Sequence, residues 1–476
     1  MSRVPSEILH IIFTDEAITQ SDLAQLARVQ REWYDAAILL LWQTMHGLRG
    51  LLLLMPDDAL LLEHIPRTGT DDLVSRLVSN LRRQINEDDL TPVLRRSHFV
   101  KTLIVDRDPA LECHEAVIDA LAQCLPPQCL FPNLLSLRLD FKYADYSSLS
   151  TTFNKYLNLL LSHHMTSAAL EELTVTNRTL PCANDYLTYA PVLFTAVQQR
   201  YSNLEKIEFS IRERPPGTLL AIFARLPNLR SLDLYFNHRN RNSKLTSATA
   251  STLPNGFPSL THLSVHYLNA PSLAGAVRSW RFPRLQSFAA HQIMRASVDQ
   301  VCDLLLALRE RVSHGTLRSL HIRGTRHSGT GVPLRLHHIL ALAAFPHLTH
   351  VTLDATLGVL LADDEHAQVA GWWPQLEFLA FNTNFIIETS SSQENAPATL
   401  SALIYYARSC LKLRELEIPL VIHSVPEIPD DLVSRPFQHP LERLFLGYSA
   451  LDQTCEEGAA AFWCVLFPKC GVRSKA

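Results

Sequence analysis

The sequence decides the fold most clearly at Leu226–Leu234, which reads LPNLRSLDL. A proline cannot continue a helix, so any helix that precedes it ends there. Leu232 and Leu234 are two residues apart, so they point to the same face of an extended chain, while the residues between them point to the other face. Apolar residues at alternate positions therefore predict a strand with one buried face and one solvated face.

The same stretch recurs along most of the chain. Five other copies place an aromatic residue and a proline before the strand, and they begin at Phe131, Phe257, Phe282, Phe345 and Trp373. Further copies keep the strand without the proline. The first apolar residues of the twelve strands are Val100, Leu134, Leu170, Leu204, Leu229, Leu260, Leu285, Leu317, Leu348, Leu376, Leu413 and Leu441. No single repeat can bury its own apolar face, whereas stacked repeats bury a continuous core.

These repeats predict an α/β fold, a leucine-rich-repeat solenoid with parallel strands on the concave side and helices on the convex side. The repeats begin about 31 residues apart on average, which exceeds the ~20–29 residues of short leucine-rich repeats and leaves room for an α-helix in each connection. A doubly wound α/β sheet also alternates strands and helices. Twelve similar strands, the recurring proline and the lack of a glycine-rich phosphate turn in the sequence favour the solenoid.

Composition excludes several classes of protein. The 476 residues are 47% hydrophobic and 19% charged, which is typical of a folded chain. The formal net charge of -4 gives no reason to expect a nucleic-acid partner. Nine cysteines without a Cys-x-x-Cys spacing are typical of reduced thiols in an intracellular protein of the cytoplasm or nucleus. Polar side chains interrupt the most apolar stretch, residues 36–54, so we expect no membrane span.

Sequence motifs that carry catalysis are missing from the chain. It has no phosphate-binding glycine loop, no Gly-x-Ser-x-Gly and no His-Glu-x-x-His. The histidines of the pairs His163-His164 and His337-His338 are adjacent, and neighbouring side chains on a helix point apart, so neither pair is suited to hold a metal. We therefore expect a binding protein that is not an enzyme and has no catalytic residues, metal or cofactor.

Residues 1–46 do not share the repeat and read as three short helices. The first begins at Ser6, the second follows an N-cap pair at Ser21-Asp22, and the third runs from Glu32 to about Trp42. So short a domain cannot bury all of its apolar residues by itself. The surplus indicates either a docking surface for a partner or packing against the following repeats, and both interpretations stay open on physical grounds.

The N-terminal residues resemble the F-box family. Residues 4–13, VPSEILHIIF, are similar to the opening of an F-box, usually Leu-Pro-x-Glu-Ile-Leu, with Val4 in place of the leucine. Residues 22–34, DLAQLARVQREWY, are similar to its middle, and Leu41-Trp42 to its end. The whole layout resembles fungal F-box proteins with degenerate leucine-rich repeats, including a leucine-rich bridge at 45–55.

The resemblance implies a function. F-box proteins bind the Skp adaptor of cullin-RING ubiquitin ligases, and their second domain selects a protein substrate. Together with the repeats, this predicts an F-box domain at 1–46, a helical connector at 47–99, and about twelve irregular repeats with a C-terminal cap at 100–476. The residues expected to form or support the adaptor face are Pro5, Ile8, Leu9, Ile12, Leu23, Leu26, Val29, Trp33, Leu41 and Trp42. The alternative is a leucine-rich-repeat scaffold that binds a partner without a ligase.

The strand positions that alternate with the buried leucines predict a second surface. Residues two, four and six after the first leucine point away from the core, and side-by-side strands align them in columns. We expect a protein substrate to contact Asp233, Tyr235, His262, His266, His291, His321, Arg323 and His350. Five histidines would make the charge of this surface rise as the pH falls through ~6.5, which would favour an acidic or aromatic-rich partner. A merely solvated strand face would also use such polar residues.

Overall fold

A computed structural model describes residues 4–15, 17–65, 76–105, 114–125, 129–140, 150–176, 193, 195–211, 217–236, 256–293, 296–324, 333–354, 358–381, 398–433, 439–446, 450–451 and 455–473. The chain divides into two compact units, Met1–Arg212 and Glu213–Ala476. In both units the strands of successive repeats run parallel, and helices fill the connections between them.

The first unit begins with the three helices that the sequence predicts, which are α1 (Ser6–Phe13), α2 (Gln20–Leu26) and α3 (Arg31–Gln43). The N-cap of α2 is Thr19 and not the expected pair at Ser21-Asp22. The Thr19 hydroxyl accepts a hydrogen bond from the Asp22 amide at 3.2 Å, and the Asp22 carboxylate accepts one from the Thr19 amide at 2.9 Å. This reciprocal pair satisfies two backbone N–H groups and fixes the start of the helix.

The connector at 47–99 is not wholly helical, which corrects the expectation from the sequence. It contains α4 (Arg49–Leu52), the antiparallel strands β2 (Leu60–Ile65) and β3 (Arg76–Leu81), a 3-10 helix (Asp88–Leu90) and α5 (Thr91–Ser97). The apolar run that opens β2 is too short for its periodicity to distinguish a helix from a strand. A hydrogen bond of 3.0 Å from the Asn80 amide to the Glu63 carboxylate also joins β2 and β3.

The sheet of the first unit contains one parallel strand from each repeat, together with a short strand that follows α3. Its strands, in order, are β1 (Thr44–His46), β4 (Thr102–Val105), β5 (Ser136–Asp140), β6 (Glu172–Thr176) and β7 (Lys206–Ile211). Helices α6 (Glu115–Cys124) and α7 (Ser150–Leu160) lie in the connections. Strand β1 follows α3 directly, so the helical module and the sheet share a continuous stretch of chain.

The second unit contains the longer run of repeats. Its parallel strands, in order, are β8 (Ser231–Phe236), β9 (His262–His266), β10 (Ser287–Ile293), β11 (Ser319–Gly324), β12 (His350–Asp354), β13 (Phe378–Phe381), β14 (Glu415–Glu417), β16 (Arg443–Phe445) and β18 (Gly471–Arg473). The short strands β15 (Val421–Ile422) and β17 (Ala450–Leu451) form a separate parallel pair. The helices are α8 (Gly217–Ala224), α9 (Ala270–Ser279), α10 (Val298–Arg311), α11 (Leu336–Ile339), a 3-10 helix (Leu340–Ala344), α12 (Asp363–Trp372), α13 (Ser401–Ser409), α14 (Asp430–Val433) and α15 (Glu456–Leu466).

The structure confirms the predicted repeat. Each of the twelve predicted strands begins two residues after the first apolar residue of its copy. In β11, Leu320 and Ile322 are fully buried, while Arg323, on the opposite face, is exposed. The aromatic residue before each proline is also buried, and the rings of Phe257 and Phe282 stack with their centroids 5.7 Å apart. The sheet therefore has an apolar side that packs on the helices and a polar side that faces away from them.

Within each unit, a recurring backbone hydrogen bond connects successive repeats. The carbonyl of Arg318 accepts from the amides of Thr349 and His350 at 2.8 and 3.1 Å, and the carbonyl of Thr349 accepts in the same way from Glu377 and Phe378. The same arrangement precedes strands of the first unit, where the carbonyl of Lys101 serves two amides. It sets the register at which each strand enters the sheet.

Besides β2, β3, β15 and β17, which lie outside the repeat strands, the sequence analysis missed β1 and β18. Both have only three residues, and neither is preceded by the repeat. The helix predicted near residues 458–466 is present as α15, in which Ala459, Phe462 and Leu466 are buried. Its expected role as a C-terminal cap stays a prediction.

Gly256 offers a test of the packing between repeats. Its φ is +62°, and a Cβ atom there would overlap the backbone nitrogen and oxygen of Arg281. We expect Gly256→Ala to lower the free energy of unfolding by about 3 kcal/mol, because it combines a left-handed backbone with a steric clash. Gly275→Ala, in α9, is the matched control, since nothing lies within 4 Å of its Cβ position and a helical alanine stabilises by ~0.5–1 kcal/mol. Chemical denaturation followed by circular dichroism would contradict this packing if both variants unfolded alike.

Candidate functional site

The three N-terminal helices enclose a small apolar core. Leu9, Phe13, Leu23, Ala36 and Ala37 are buried in it. Two residues expected at the adaptor face, Leu9 and Leu23, are thus held inside the module, with 2% and 6% of their surface exposed. They can support an adaptor face from within, but they cannot contact a partner directly.

Three more of the predicted residues, Leu26, Trp33 and Leu41, are partly buried against this core. The Trp33 ring packs edge-on against Phe13, with centroids 5.8 Å apart. Leu26, Val29 and Trp33 do not share one helical face, because α2 ends at Leu26 and α3 begins at Arg31, so a turn separates them.

One face of α1 presents apolar side chains to solvent. Ile8, Ile11 and Ile12, here called the isoleucine stripe, are 46%, 66% and 48% exposed and follow helical i, i+3, i+4 spacing. Pro5 precedes the helix and is exposed, and Val29, in the turn after α2, is 62% exposed. Trp42 is half-buried near the end of α3. The sequence analysis left out Ile11, although its spacing from Ile8 could have identified it.

Residues outside the isoleucine stripe anchor the helical module to the rest of the first unit. The Lys101 amide donates to the Gln43 carbonyl at 2.9 Å, at the point where α3 becomes β1. Arg96, in α5, donates to the Tyr34 hydroxyl and lies over its ring, 5.7 Å from the centroid. The packing that the sequence left as an alternative therefore involves Tyr34 and Gln43, while the isoleucine stripe stays exposed.

A second surface lies on the polar side of strands β8 to β12 in the second unit. Strand register aligns Tyr235 with His266, His266 with His291, and Arg323 with Asp354, as the sequence predicts. Between β10 and β11 the register shifts after Ala290, so the expected alignment of His291 with Arg323 is not present. We call this surface, made of the alternate residues of these five strands, the histidine face. Its eight predicted substrate contacts are all on the polar side of the sheet, but they do not form one cluster.

A column of stacked rings crosses three of these strands. Tyr235 stacks on His266 with centroids 4.0 Å apart and an interplanar angle of 13°, and His266 stacks on His291 at 4.6 Å. The His266 ring is held by the Ser264 hydroxyl at 2.9 Å and lies 3.2 Å from the Asp233 carboxylate. Stacking and polar contacts together fix the orientation of these side chains.

His321 lies in the middle column and has both ring nitrogens bonded. Nε2 is 2.8 Å from the Ser319 hydroxyl, and Nδ1 is 2.9 Å from the Thr352 hydroxyl. Burial, and then the positive charge of Arg323, lower the pKa of His321 to about 4. The pKa of His291 is also lowered, first by burial and then by His266 and Arg323. His321 therefore gains its charge near pH 4, and the pKa of His291 lies below its usual value, which corrects the expectation that both gain charge at ~6.5.

His262 and His350 stand apart from the other three histidines. They occupy the first column on β9 and β12, with Ser287 and Ser319 between them on β10 and β11. Two intervening strands at ~4.8 Å spacing place them about 14 Å apart. Each ring is bonded to the threonine that precedes it, Thr261 or Thr349. The centre of the histidine face is therefore Tyr235, His266, His291, His321 and Arg323.

The backbone beside the ring column is strained. Among the described residues, Tyr267 and Gln292 alone combine a side chain with a positive φ, at 61° and 55°. They directly follow His266 and His291, and the Tyr267 amide donates to the His291 carbonyl at 3.0 Å. Such conformations cost about 1–3 kcal/mol each and cluster at binding and catalytic sites. The sequence carried no signal for them.

Within the residues that the structure describes, no group of three or more histidine, cysteine, aspartate or glutamate side chains could hold a metal ion. Nor does that part of the chain include a helix with the length and apolar character needed to cross a bilayer.

Comparisons with known proteins add a likeness in fold. No family model matches the chain, and no curated protein does. Among solved structures, the Rad7 and Elc1 complex of yeast is similar at 14% identity, covering 83% of this chain and 92% of that one with a TM-score of 0.35. A leucine-rich-repeat protein of Leptospira interrogans is similar at 12% identity, covering 72% and 91% with a TM-score of 0.28. The leucine-rich-repeat fold stands on the strand register, because likenesses at these TM-scores support no further argument.

The titration of His321 tests the electrostatics of the histidine face. We expect ring resonances from histidine-labelled protein to give His321 a pKa near 4. Arg323→Gln should raise the pKa of both His321 and His291, because a nearby positive charge disfavours the protonated ring. Arg318→Gln, which removes an exposed arginine before the same strand, is the matched control and should change neither. Titration of His321 near 6.5 in the parent protein would contradict the described environment.

Two buried histidines and the half-buried His321 also predict how stability depends on pH. The pKa values of His321, His366 and His439 are lowered to about 4, 3 and 4, chiefly by burial. The folded protein keeps them neutral, whereas the unfolded chain protonates them below ~6.5. Their contribution to stability is thus complete above about pH 6.5 and is lost as the pH falls toward 4. Urea denaturation of the parent should show that loss, and His439→Gln should show less of it.

Proposed function

We propose that the chain is the substrate-recognition subunit of a Skp–cullin–F-box ubiquitin ligase, in which the N-terminal helices dock on the Skp adaptor and the repeats hold a protein target. The observation that carries the proposal is the isoleucine stripe. A three-helix module with its own core exposes three isoleucines on one helix.

Energetics favour a protein partner for this stripe. Full burial of an isoleucine side chain is worth about 1.5–3 kcal/mol, so three half-exposed isoleucines leave several kcal/mol available to an interface. Apolar side chains at i, i+3 and i+4 are the contacts of a helix that lies in an apolar groove. The F-box resemblance of residues 4–13 supports the Skp adaptor as the protein that offers such a groove.

In this proposal, the repeats form the substrate-binding part of the receptor. Parallel strands present columns of side chains at fixed spacing, and a long rigid surface can be matched to a protein target. We propose no catalytic step for this chain, because chemistry in such a complex belongs to the other subunits.

Substitutions in α1 separate docking from folding. Ile8→Asp with Ile12→Asp should weaken binding of the full chain to a purified Skp adaptor by about a hundredfold or more, since both side chains are exposed and central to the proposed contact. The helical signal and unfolding midpoint should stay at parent values. Leu340→Asp, at a residue 53% exposed in the second unit, is the matched control and should bind normally. Unchanged adaptor binding by the double variant would falsify the F-box assignment.

Leu9→Asp makes a useful contrast. Its side chain is 2% exposed, so the charge would be buried and the module should unfold. Loss of adaptor binding by this variant would therefore carry no information about the contact itself.

The second candidate function is a leucine-rich-repeat scaffold without a ligase. The ring column and strained backbone of the histidine face favour it, because they form a built surface that does not involve the helical module. On this alternative, a protein target would bind equally well after Ile8→Asp with Ile12→Asp, and ubiquitylation of the target would not depend on the chain.

A further inference from the structure

We infer that one edge of the second unit binds the phosphate backbone of double-stranded nucleic acid. The edge is formed by the four turns that precede strands β8 to β11, which are residues 225–230, 256–261, 281–286 and 313–318. We call it the basic edge. It goes beyond the proposed function and is independent of the docking of α1.

Charge is strongly segregated along the chain. Between Glu213 and Asp354 the sequence holds sixteen lysines and arginines but only four aspartates and glutamates, a net charge of +12. The whole chain carries -4, so the other residues carry a net charge of -16. The overall charge, which by itself gives no reason to expect nucleic acid, thus conceals a basic region. Asymmetry of this size indicates a polyanionic partner.

The four turns of the basic edge contain no acidic residue. They read RLPNLR, GFPSLT, RFPRLQ and SHGTLR, and their charged residues are Arg225, Arg230, Arg281, Arg284 and Arg318. All five arginines are exposed. Among the residues that the structure describes, no carboxylate forms an ion pair with Arg281, Arg284 or Arg318. These guanidinium groups are therefore available to an anion.

The four acidic residues of this region do not neutralise the edge. Asp233 lies on the histidine face, 3.2 Å from the central ring of the column. Asp303 and Glu310, on α10, lie 2.5 and 3.8 Å from the guanidinium group of Arg278. Asp299 is in the first turn of α10, at the end of the helix away from the turn that precedes β11. The positive charge of the edge is thus left without a counter-charge in the described part of the unit.

The repeat fixes the spacing of the arginines. Hydrogen bonds of 2.7–2.8 Å from amide to carbonyl join the last residues of the four turns in a row, which are Arg230, Thr261, Gln286 and Arg318. Neighbouring strands are ~4.8 Å apart, so the backbones of Arg230 and Arg318 lie about 14 Å from each other. Arg284 belongs to the turn between them. A row of this length matches roughly four phosphates of one DNA strand, which rise by ~3.4 Å each.

Helix ends account for only part of this charge. Arg225 follows α8 directly, and Arg281 lies two residues after α9. A positive side chain is favourable at the C-terminus of a helix, but the effect is confined to the last turn. Arg230, Arg284 and Arg318 lie next to the first leucine of a strand, beyond the reach of the helix dipole. Their presence needs another explanation.

The basic edge lacks the apolar side chains that other partners need. Its leucines and its two phenylalanines, Phe257 and Phe282, are buried. In the described part of the second unit, the exposed large apolar side chains all lie elsewhere, at Leu306, Leu340, Leu411, Val425 and Val465. The centre of a protein interface is apolar, membrane binding requires apolar insertion, and single-stranded nucleic acids stack on exposed rings.

A duplex requires none of these contacts. Interfaces with double-stranded nucleic acid are polar and positively charged, and most of their hydrogen bonds go to phosphate and sugar. The planar guanidinium group of arginine matches two phosphate oxygens at once. An exposed row of arginines without apolar neighbours therefore favours the phosphate backbone of a duplex, bound without preference for its sequence.

The test measures binding of the purified full chain to fluorescently labelled DNA duplexes of about 20 base pairs, in two unrelated sequences. Fluorescence anisotropy follows binding as sodium chloride is raised from about 50 to 200 mM. We expect similar affinities for both sequences. The logarithm of the association constant should fall with the logarithm of the salt concentration with a slope of about -4 to -5, since five arginines contribute ~0.9 each.

Two double variants locate the contact. Arg284→Gln with Arg318→Gln should make the salt slope shallower by about two and weaken binding about tenfold or more at 0.1 M salt. Lys412→Gln with Arg414→Gln is the matched control. It removes two exposed charges at the equivalent positions of a later turn, whose neighbours in the row of hydrogen bonds are both glutamates. The control should bind like the parent protein, and thermal melting checks that both variants are folded.

Competition distinguishes the duplex from other anions. Unlabelled duplex should displace the labelled one, whereas a polyglutamate peptide and vesicles of phosphatidylserine and phosphatidylcholine, at equal charge concentration, should not. Equal displacement by the peptide or the vesicles would overturn the inference, because it would assign the edge to an acidic protein or a membrane. Equal losses in the two double variants, or no duplex binding up to about 100 μM protein at the lowest salt concentration, would overturn it as well.

The measurement contains no adaptor and no ligase component. A failure of duplex binding therefore leaves the proposed docking of α1 unaffected, and a failure of adaptor binding leaves this result standing.

Discussion

Within each unit, the stacking of the repeats depends on one backbone carbonyl in each repeat. The carbonyl of the residue after the first leucine accepts two amides from the next repeat, as Arg318 does for Thr349 and His350. That bond brings the following strand into the ladder, and the leucines of that strand are buried only when it is there. Hydrogen bonding and apolar burial are therefore gained together, which makes each repeat stable only beside its neighbours. A slip of one residue would expose every buried leucine, so connections of different length leave the register unchanged.

Fixed register explains why the sequence was sufficient for the sheet and for the columns on its polar side. The alternation of apolar and polar residues along each strand decides which side chains are buried, and parallel pairing then aligns the others. The sequence alone could therefore place His266 and His291 next to each other. The helical module is different. Nearly every turn of α1 and α3 carries apolar side chains, and only contacts between the helices determine that Leu9 is inside and Ile8 outside. The strands β2 and β3 escaped prediction because they pair with each other and carry no repeat.

The sequence also did not predict the electrostatic surroundings of the individual histidines. Five histidines enter the face at alternate strand positions, yet the fold gives them different surroundings. His262 is exposed and bonded to its neighbouring threonine, His266 lies beside a carboxylate, and His321 is half-buried with hydroxyls on both nitrogens. Burial and Arg323 then keep His321 neutral at physiological pH, so the donors of this surface are set by position and not by residue type.

The junction between α3 and β1 fixes the position of the helical module relative to the first strands of the sheet. Thr44, Met45 and His46 pair with Thr102, Leu103 and Ile104, so the strand that ends the helical module is also a member of the sheet. Arg96 and Tyr34 add a second attachment one helix away. Moving the module relative to this part of the sheet would break the ladder at β1 and expose Met45, which is buried. A flexible linker would let a docked module sample many orientations relative to the repeats. The effective concentration of one linked part near the other falls as that range of orientations grows. A helix that runs directly into a strand instead gives the isoleucine stripe one fixed orientation on the first repeats.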